Sequence, residues 1–134
     1  MPNTKATGVA YLDPEFSTCY ATEGLGYAAA AQGAVTQLTS KSTAVTLNTS
    51  AGVITMNNAS LATATNATFT LNNSSISAKD AVILTISGGQ ATAGSYNVFA
   101  NALAAGTVSI TLRNISGGTL SEAILINFAI IHAA

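Results

Sequence analysis

From about residue 33 onward, hydrophobic and polar residues alternate with a period of two along most of this chain. The pattern is cleanest over residues 106–114, where Val108, Ile110 and Leu112 share one face and Thr107, Ser109, Thr111 and Arg113 the other. Successive side chains of extended backbone point to opposite faces, so such alternation describes a strand covered by a core on one side. Residues 67–72 repeat it with Phe69 and Leu71 inward, and residues 81–87 with Val82, Leu84 and Ile86 inward. Less regular strands are predicted over 33–40, 43–48, 52–57 and 95–101. Residues 58–66 read as a loop, and residues 72–80 (NNSSISAKD) as turn chemistry, since Asn and Asp bond their own backbone. The last strand, over 123–132, is different. Ile124, Ile126, Phe128 and Ile130 point one way and Leu125, Ala129 and Ile131 the other. A strand apolar on both faces belongs at the centre of a sheet or against a neighbouring chain.

That makes about eight strands at intervals of roughly ten residues, with Gly-rich and Asn-rich turns between them, and predicts an all-β fold. An eight-stranded antiparallel sandwich is expected, with a jelly roll first and an immunoglobulin-like sandwich second. No helical crossover segments interrupt the strands, which argues against a parallel α/β fold.

Residues 1–32 break the pattern. They hold both prolines, three of the five acids (Asp13, Glu15, Glu23) and three of the four tyrosines, with no sustained period beyond one helical turn near 28–32. The expected organisation is an extended N-terminal arm over 1–32 and a β-sandwich domain over 33–134. Tyr11, Leu12, Phe16, Tyr20 and Tyr27 give the arm anchors for a neighbouring surface, because aromatic rings offer large contact area and a polar tip. The alternative is that these rings fold back on their own domain.

Composition sharpens the choice. Only 7% of residues are charged and the formal net charge is -1, against roughly 25% charged in an ordinary soluble protein. Mixed charges keep free monomers apart. Their scarcity fits either an exposed face carpeted with Thr, Ser and Asn or a surface buried against copies and partners; charge depletion at interface cores favours the second. Lys5, Lys41, Lys79 and Arg113 are scattered, so no basic footprint for nucleic acid exists. No run approaches the roughly 20 apolar residues of a membrane helix. The opening MPNTKATGVAYL lacks the apolar core of a secretory signal, so export is not expected.

Candidate chemistry is thin. His132 is the sole histidine and Cys19 the sole cysteine, which leaves no intrachain disulfide and no His/Cys metal cluster. Glu122 reads as a solvated turn acid or a partner for Arg113, and Asp80 beside Lys79 as a solvated turn acid. Cys19 reads as a buried or interface residue. Asp13 and Glu15 lack the loop pattern of a calcium site, and Gly24 and Gly26 lack the third glycine of a dinucleotide loop. Asn-x-Ser/Thr triplets at Asn48, Asn58, Asn66, Asn72, Asn73 and Asn114 follow from the composition. No enzyme, cofactor, metal or small-molecule substrate is expected.

Four stretches carry a resemblance: GYAAAAQGAVTQLTSKSTAVTLN (26–48), GVITMN (52–57), FTLNNSSI (69–76) and NISGGTLSEAILINFAII (114–131). Together they resemble a family of small β-rich proteins of tailed bacteriophages. That family is similar to capsid decoration proteins (cement proteins or head-fibre bases) and also supplies modules of tail or fibre proteins. The resemblance implies a structural virion protein, made in the host cytoplasm, that binds the outside of the head and stabilises the shell. Its partners would be the major capsid protein and copies of itself, with a homotrimer as the expected state. On this reading Tyr11, Leu12, Phe16, Tyr20 and Tyr27 grip the capsid, while Leu125, Phe128 and Ile131 pack within the oligomer. The alternative is a fibre module that binds a host-surface receptor or glycan. It calls for exposed aromatics in the sandwich, where there is no Trp and the only tyrosine is Tyr96.

Overall fold

Eight strands form where the alternation places them, as a computed structural model that describes residues 16–133 shows. A 3₁₀ turn at Ala29–Ala31 leads into β1 (Gln32–Thr36), followed by β2 (Val45–Thr46), β3 (Ala51–Thr55) and β4 (Asn66–Asn72). Then come β5 (Ala81–Gly88), β6 (Tyr96–Ala104), β7 (Thr107–Asn114) and β8 (Leu125–Ile131). They make a sandwich of two four-stranded sheets, ordered β1-β3-β8-β5 and β2-β4-β7-β6. Among the described residues no helix is long and apolar enough to cross a membrane.

The two orders have a common logic. Each consecutive pair (β1 with β2, β3 with β4, β5 with β6, β7 with β8) places one strand in each sheet, so the sandwich is four such pairs laid side by side. The β7–β8 pair lies between β3–β4 and β5–β6 and is antiparallel to both, the interleaving of a jelly roll. The expectation of a wholly antiparallel sandwich needs correction at one side. β1 runs parallel to β3 and β2 parallel to β4. From β1 to β4 each connection crosses to the other sheet and reverses direction, so strands two apart run the same way.

β8 is a central strand, as its two apolar faces require, with β3 on one side and β5 on the other. Ile124, Ile126, Phe128 and Ile130 face the core with Ile54, Leu71, Ile110 and Leu112. Each such side chain fully withdrawn from water contributes about 1.5–3 kcal/mol. Phe128 fits because Gly52 lies opposite it in the register. A Cβ on Gly52 would stand 3.0 Å from the Phe128 ring and 2.7 Å from the carbonyl oxygen of Gly33. The missing Cβ of Gly52 therefore lets β1 and β3 close over the Phe128 ring.

Buried amides tie down the loops. Asn114 donates to the carbonyls of Leu61 and Gly118 and accepts from the Ser116 N–H and hydroxyl, at 2.7–2.9 Å. Asn73 donates to the Thr49 carbonyl at 2.6 Å and accepts from the Ser75 N–H at 2.9 Å. Gln37 donates to the carbonyls of Lys41 and Thr43 and accepts from the Asn57 N–H. A buried polar group must find such partners or cost several kcal/mol.

Candidate functional site

The outward residues of the β1-β3-β8-β5 sheet make a face without a charged side chain. Its rows, read across β3, β8 and β5, are Ala51, Ala129 and Ile83, then Val53, Asn127 and Thr85. Leu125 stands beside Thr55, and Ile131 beside Ala81. Leu125 and Ala129 are half-buried, while Ile131 is 56% exposed. Of the three residues assigned to an oligomer contact, Leu125 and Ile131 lie on this face. Phe128 does not: it is 3% exposed and points into the core, because strand parity puts it with Ile126 and Ile130. That assignment is corrected.

The opposite outer face is the polar carpet that composition also allowed. Thr68 and Thr111 share a hydroxyl–hydroxyl hydrogen bond of 2.7 Å, Asn101 donates to Thr111, and Arg113 donates to Asn66 at 3.2 Å. Phe99 stands among them, 43% exposed, level with Thr111.

The arm divides. Phe16 (68% exposed), Tyr20 (90%) and Leu25 (89%) lie in water and touch no core. Tyr27 folds back and donates its hydroxyl to the carbonyl of Ile130. Leu25, Gly26 and Tyr27 form one wall of an open groove of about 460 Å³, and Ile83, Ala129, Ile131 and His132 form the other. Tyr11 and Leu12 lie outside the described residues. Cys19, expected to be covered, is exposed in the isolated chain.

The titratable groups serve the fold. Asp80 is not a solvated turn acid. Its carboxylate accepts from the Ser77 N–H and hydroxyl (both 2.8 Å) and the Ala133 N–H (3.1 Å), and lies 2.9 Å from His132 Nδ1. These contacts, led by the Ser77 N–H, hold its pKa far below the usual carboxylate range. The Ser77 hydroxyl donates to Asp80. Glu122 does not pair with Arg113. It accepts from the Ala91 N–H at 2.7 Å through one oxygen, and its other oxygen is buried, as is the Tyr96 hydroxyl. Burial, then the Glu122 carboxylate as hydrogen-bond acceptor and as a charge, raises the Tyr96 pKa strongly. Lys41 is buried too, donating to the carbonyls of Asn57 and Glu122 at 2.5 Å, and desolvation lowers its pKa despite Glu122. Among the described residues no group of three His, Cys, Asp or Glu side chains converges as a metal site would need.

Comparison of the chain with family models, with curated proteins and with solved structures finds no match. What the site can do follows from its surfaces alone: it offers an uncharged sheet face, exposed apolar side chains on an arm, and a polar face bearing one ring. Phe99 is the residue sequence reasoning passed over. Its signal was parity, since Tyr96 and Val98 on the inward face put Phe99 outward.

Proposed function

We propose that this chain is a structural virion protein, a decoration or cement protein that binds the outside of a phage head as an oligomer and stabilises the shell. The observation that carries the reading is the arm: Phe16, Tyr20 and Leu25 hold large apolar surface in water, next to a sheet face with no charge to resist association. Exposed apolar surface of this kind marks interaction sites. Many copies acting together make modest individual contacts sufficient on a lattice. The resemblance of 26–131 to phage decoration proteins supplies the identity of the lattice. Head binding is tested by co-sedimenting purified chain with heads of the virus that encodes it, stripped of the protein. Full-length chain is expected to bind at saturable stoichiometry and a variant lacking residues 1–24 to stay in the supernatant. No sedimentation of the full-length chain overturns the reading.

One observation favours the fibre alternative: Phe99, ringed by Asn97, Asn101 and Arg113, is the kind of aromatic platform with polar neighbours on which a sugar ring stacks. Cell-surface glycan binding that Phe99→Ala abolishes, together with absence from heads, would favour it.

A further inference from the structure

We infer that the edge of β5 is the seat of the N-terminal arm of a second copy of this chain, which adds residues 16–22 to the sheet as a further strand. The inference rests on the oligomer half of the reading above and assigns Phe16 and Tyr20 to the contact between copies rather than to the capsid.

The edge itself comes first. β5 pairs with β8 alone, so on its other side every second residue presents an N–H and a C=O with nothing to bond among the described residues. Proteins guard such edges with short strands, lysines or prolines. The β2 edge of the other sheet is guarded by being two residues long. β5 has eight residues, AVILTISG, with no charge and no proline; its one irregularity lies between Ile86 and Gly88.

The core behind that edge is unfinished. Inward residues of β7 and β8 are fully buried, yet Val82, Leu84 and Ile86 of β5 and Val98 and Leu103 of β6 are only partly so. One more layer of apolar side chains on the open side would cover them.

The arm has the matching features. Residues 16–22, FSTCYAT, are rich in strand-forming types. Extended, they put Phe16, Thr18, Tyr20 and Thr22 on one face and Ser17, Cys19 and Ala21 on the other. The segment makes no backbone hydrogen bond to the body of its own chain among the described residues. Its root at Leu25–Tyr27 is fixed beside Ile83, and residues 16–24 reach about 30 Å when extended. Docked on β5, Phe16 and Tyr20 cover the unfinished core, and Cys19 comes to the outer face with Thr85. Arm onto edge is a head-to-tail contact, which closes into a ring when the rotation permits. A trimer satisfies every arm and every edge.

The test uses the single native cysteine. Chain with Cys19 is coexpressed with a differently tagged Cys19→Ser/Thr85→Cys variant and the pair is oxidised. A disulfide between the two species can only form between copies. The expected result is several-fold more linked product than with Cys19→Ser/Thr36→Cys, which puts the probe on β1 at the other edge of the same sheet. Backbone amides of β5 should also exchange more slowly in full-length chain than in a variant lacking residues 1–24. An oligomer by light scattering with no excess of linkage at position 85 overturns the inference and leaves the head-binding reading standing. A monomer overturns the inference as well, while co-sedimentation with heads judges the capsid role separately.

Discussion

The hydroxyl of Tyr27 donates to the main-chain carbonyl of Ile130, 103 positions further on, and so moors the arm to the central strand of its sheet. Among the described residues, 16–24 make no hydrogen bond to the body; beyond Tyr27 the chain turns through Ala29–Ala31 into β1. Tyr27→Phe keeps the ring and removes the mooring. The expected cost is about 1 kcal/mol, that of a typical net hydrogen bond. Faster amide exchange confined to residues 25–28, with the sandwich unchanged, is the expected record. A cooperative loss of protection throughout β8 would contradict it.

Acid should loosen the C-terminal residues before the sandwich. Asp80 binds Ser77, His132 and Ala133 through its ionised carboxylate, and its folded pKa lies below the unfolded value. A carboxyl depressed in the folded state contributes stability above its unfolded pKa of about 4 and loses it as pH falls toward the folded value. Urea midpoints measured downward from pH 6 should therefore decline below about pH 4 in the native chain. In Asp80→Asn they should start lower at pH 6 and decline less. Parallel curves for the two proteins would show that Asp80 is not the acid-sensitive group.

At the opposite end of the pH scale Tyr96 is the group to change. Its hydroxyl is buried beside the Glu122 carboxylate, and its pKa is raised by burial, then by hydrogen bonding to that carboxylate and by its charge. A raised phenol contributes stability below its unfolded pKa of about 10, and that contribution is lost as pH climbs through the folded value. Lys41, with a lowered pKa, works the other way: the unfolded chain holds the extra proton, so its penalty shrinks as pH rises toward its ordinary value. Tyr96→Phe isolates the first effect. It removes the hydroxyl that faces the buried Glu122 carboxylate, so stability at pH 7 should fall modestly. It should also flatten the loss above pH 10, as measured by thermal melts from pH 7 to 11.

Period-two alternation was enough to find the strands because each half-buried strand writes its two faces directly into the residue order. It placed Val108, Ile110 and Leu112, and it placed β8 in mid-sheet from two apolar faces. It could not show that β1 and β3 run parallel, since parity is blind to direction. It did carry the buried amides. Asn73 continues the inward series Phe69 and Leu71, and Asn114 the series Ile110 and Leu112; Asn73 lies in the stretch that reads as turn chemistry, and Asn114 ends a strand whose inward series names only apolar residues. Phe128 erred in the other direction: its parity with Ile126 already marked it as core. Glu122 differs from its reading because its partner, Ala91, comes from a remote segment that only the fold brings near; Asp80 has a local partner in Ser77, and only its contacts to His132 and Ala133 are remote.

Asn127 offers the sharpest probe of the uncharged face. It is exposed in the middle row between Val53 and Thr85, and accepts a 2.8 Å hydrogen bond from the Ser87 hydroxyl. Asn127→Asp changes no heavy-atom outline and keeps that acceptor, so the isolated chain should stay within about 0.5 kcal/mol of its native stability. If the face is covered by another copy, the same substitution strands a carboxylate where water has been expelled, and the assembly weakens by several kcal/mol. Asn97→Asp on the polar face, level with Arg113, adds the same charge where it remains solvated. Sedimentation velocity over a dilution series should therefore show dissociation for the first variant and native assembly for the second. Equal assembly of both would place the contact on some other surface, whatever the composition suggests.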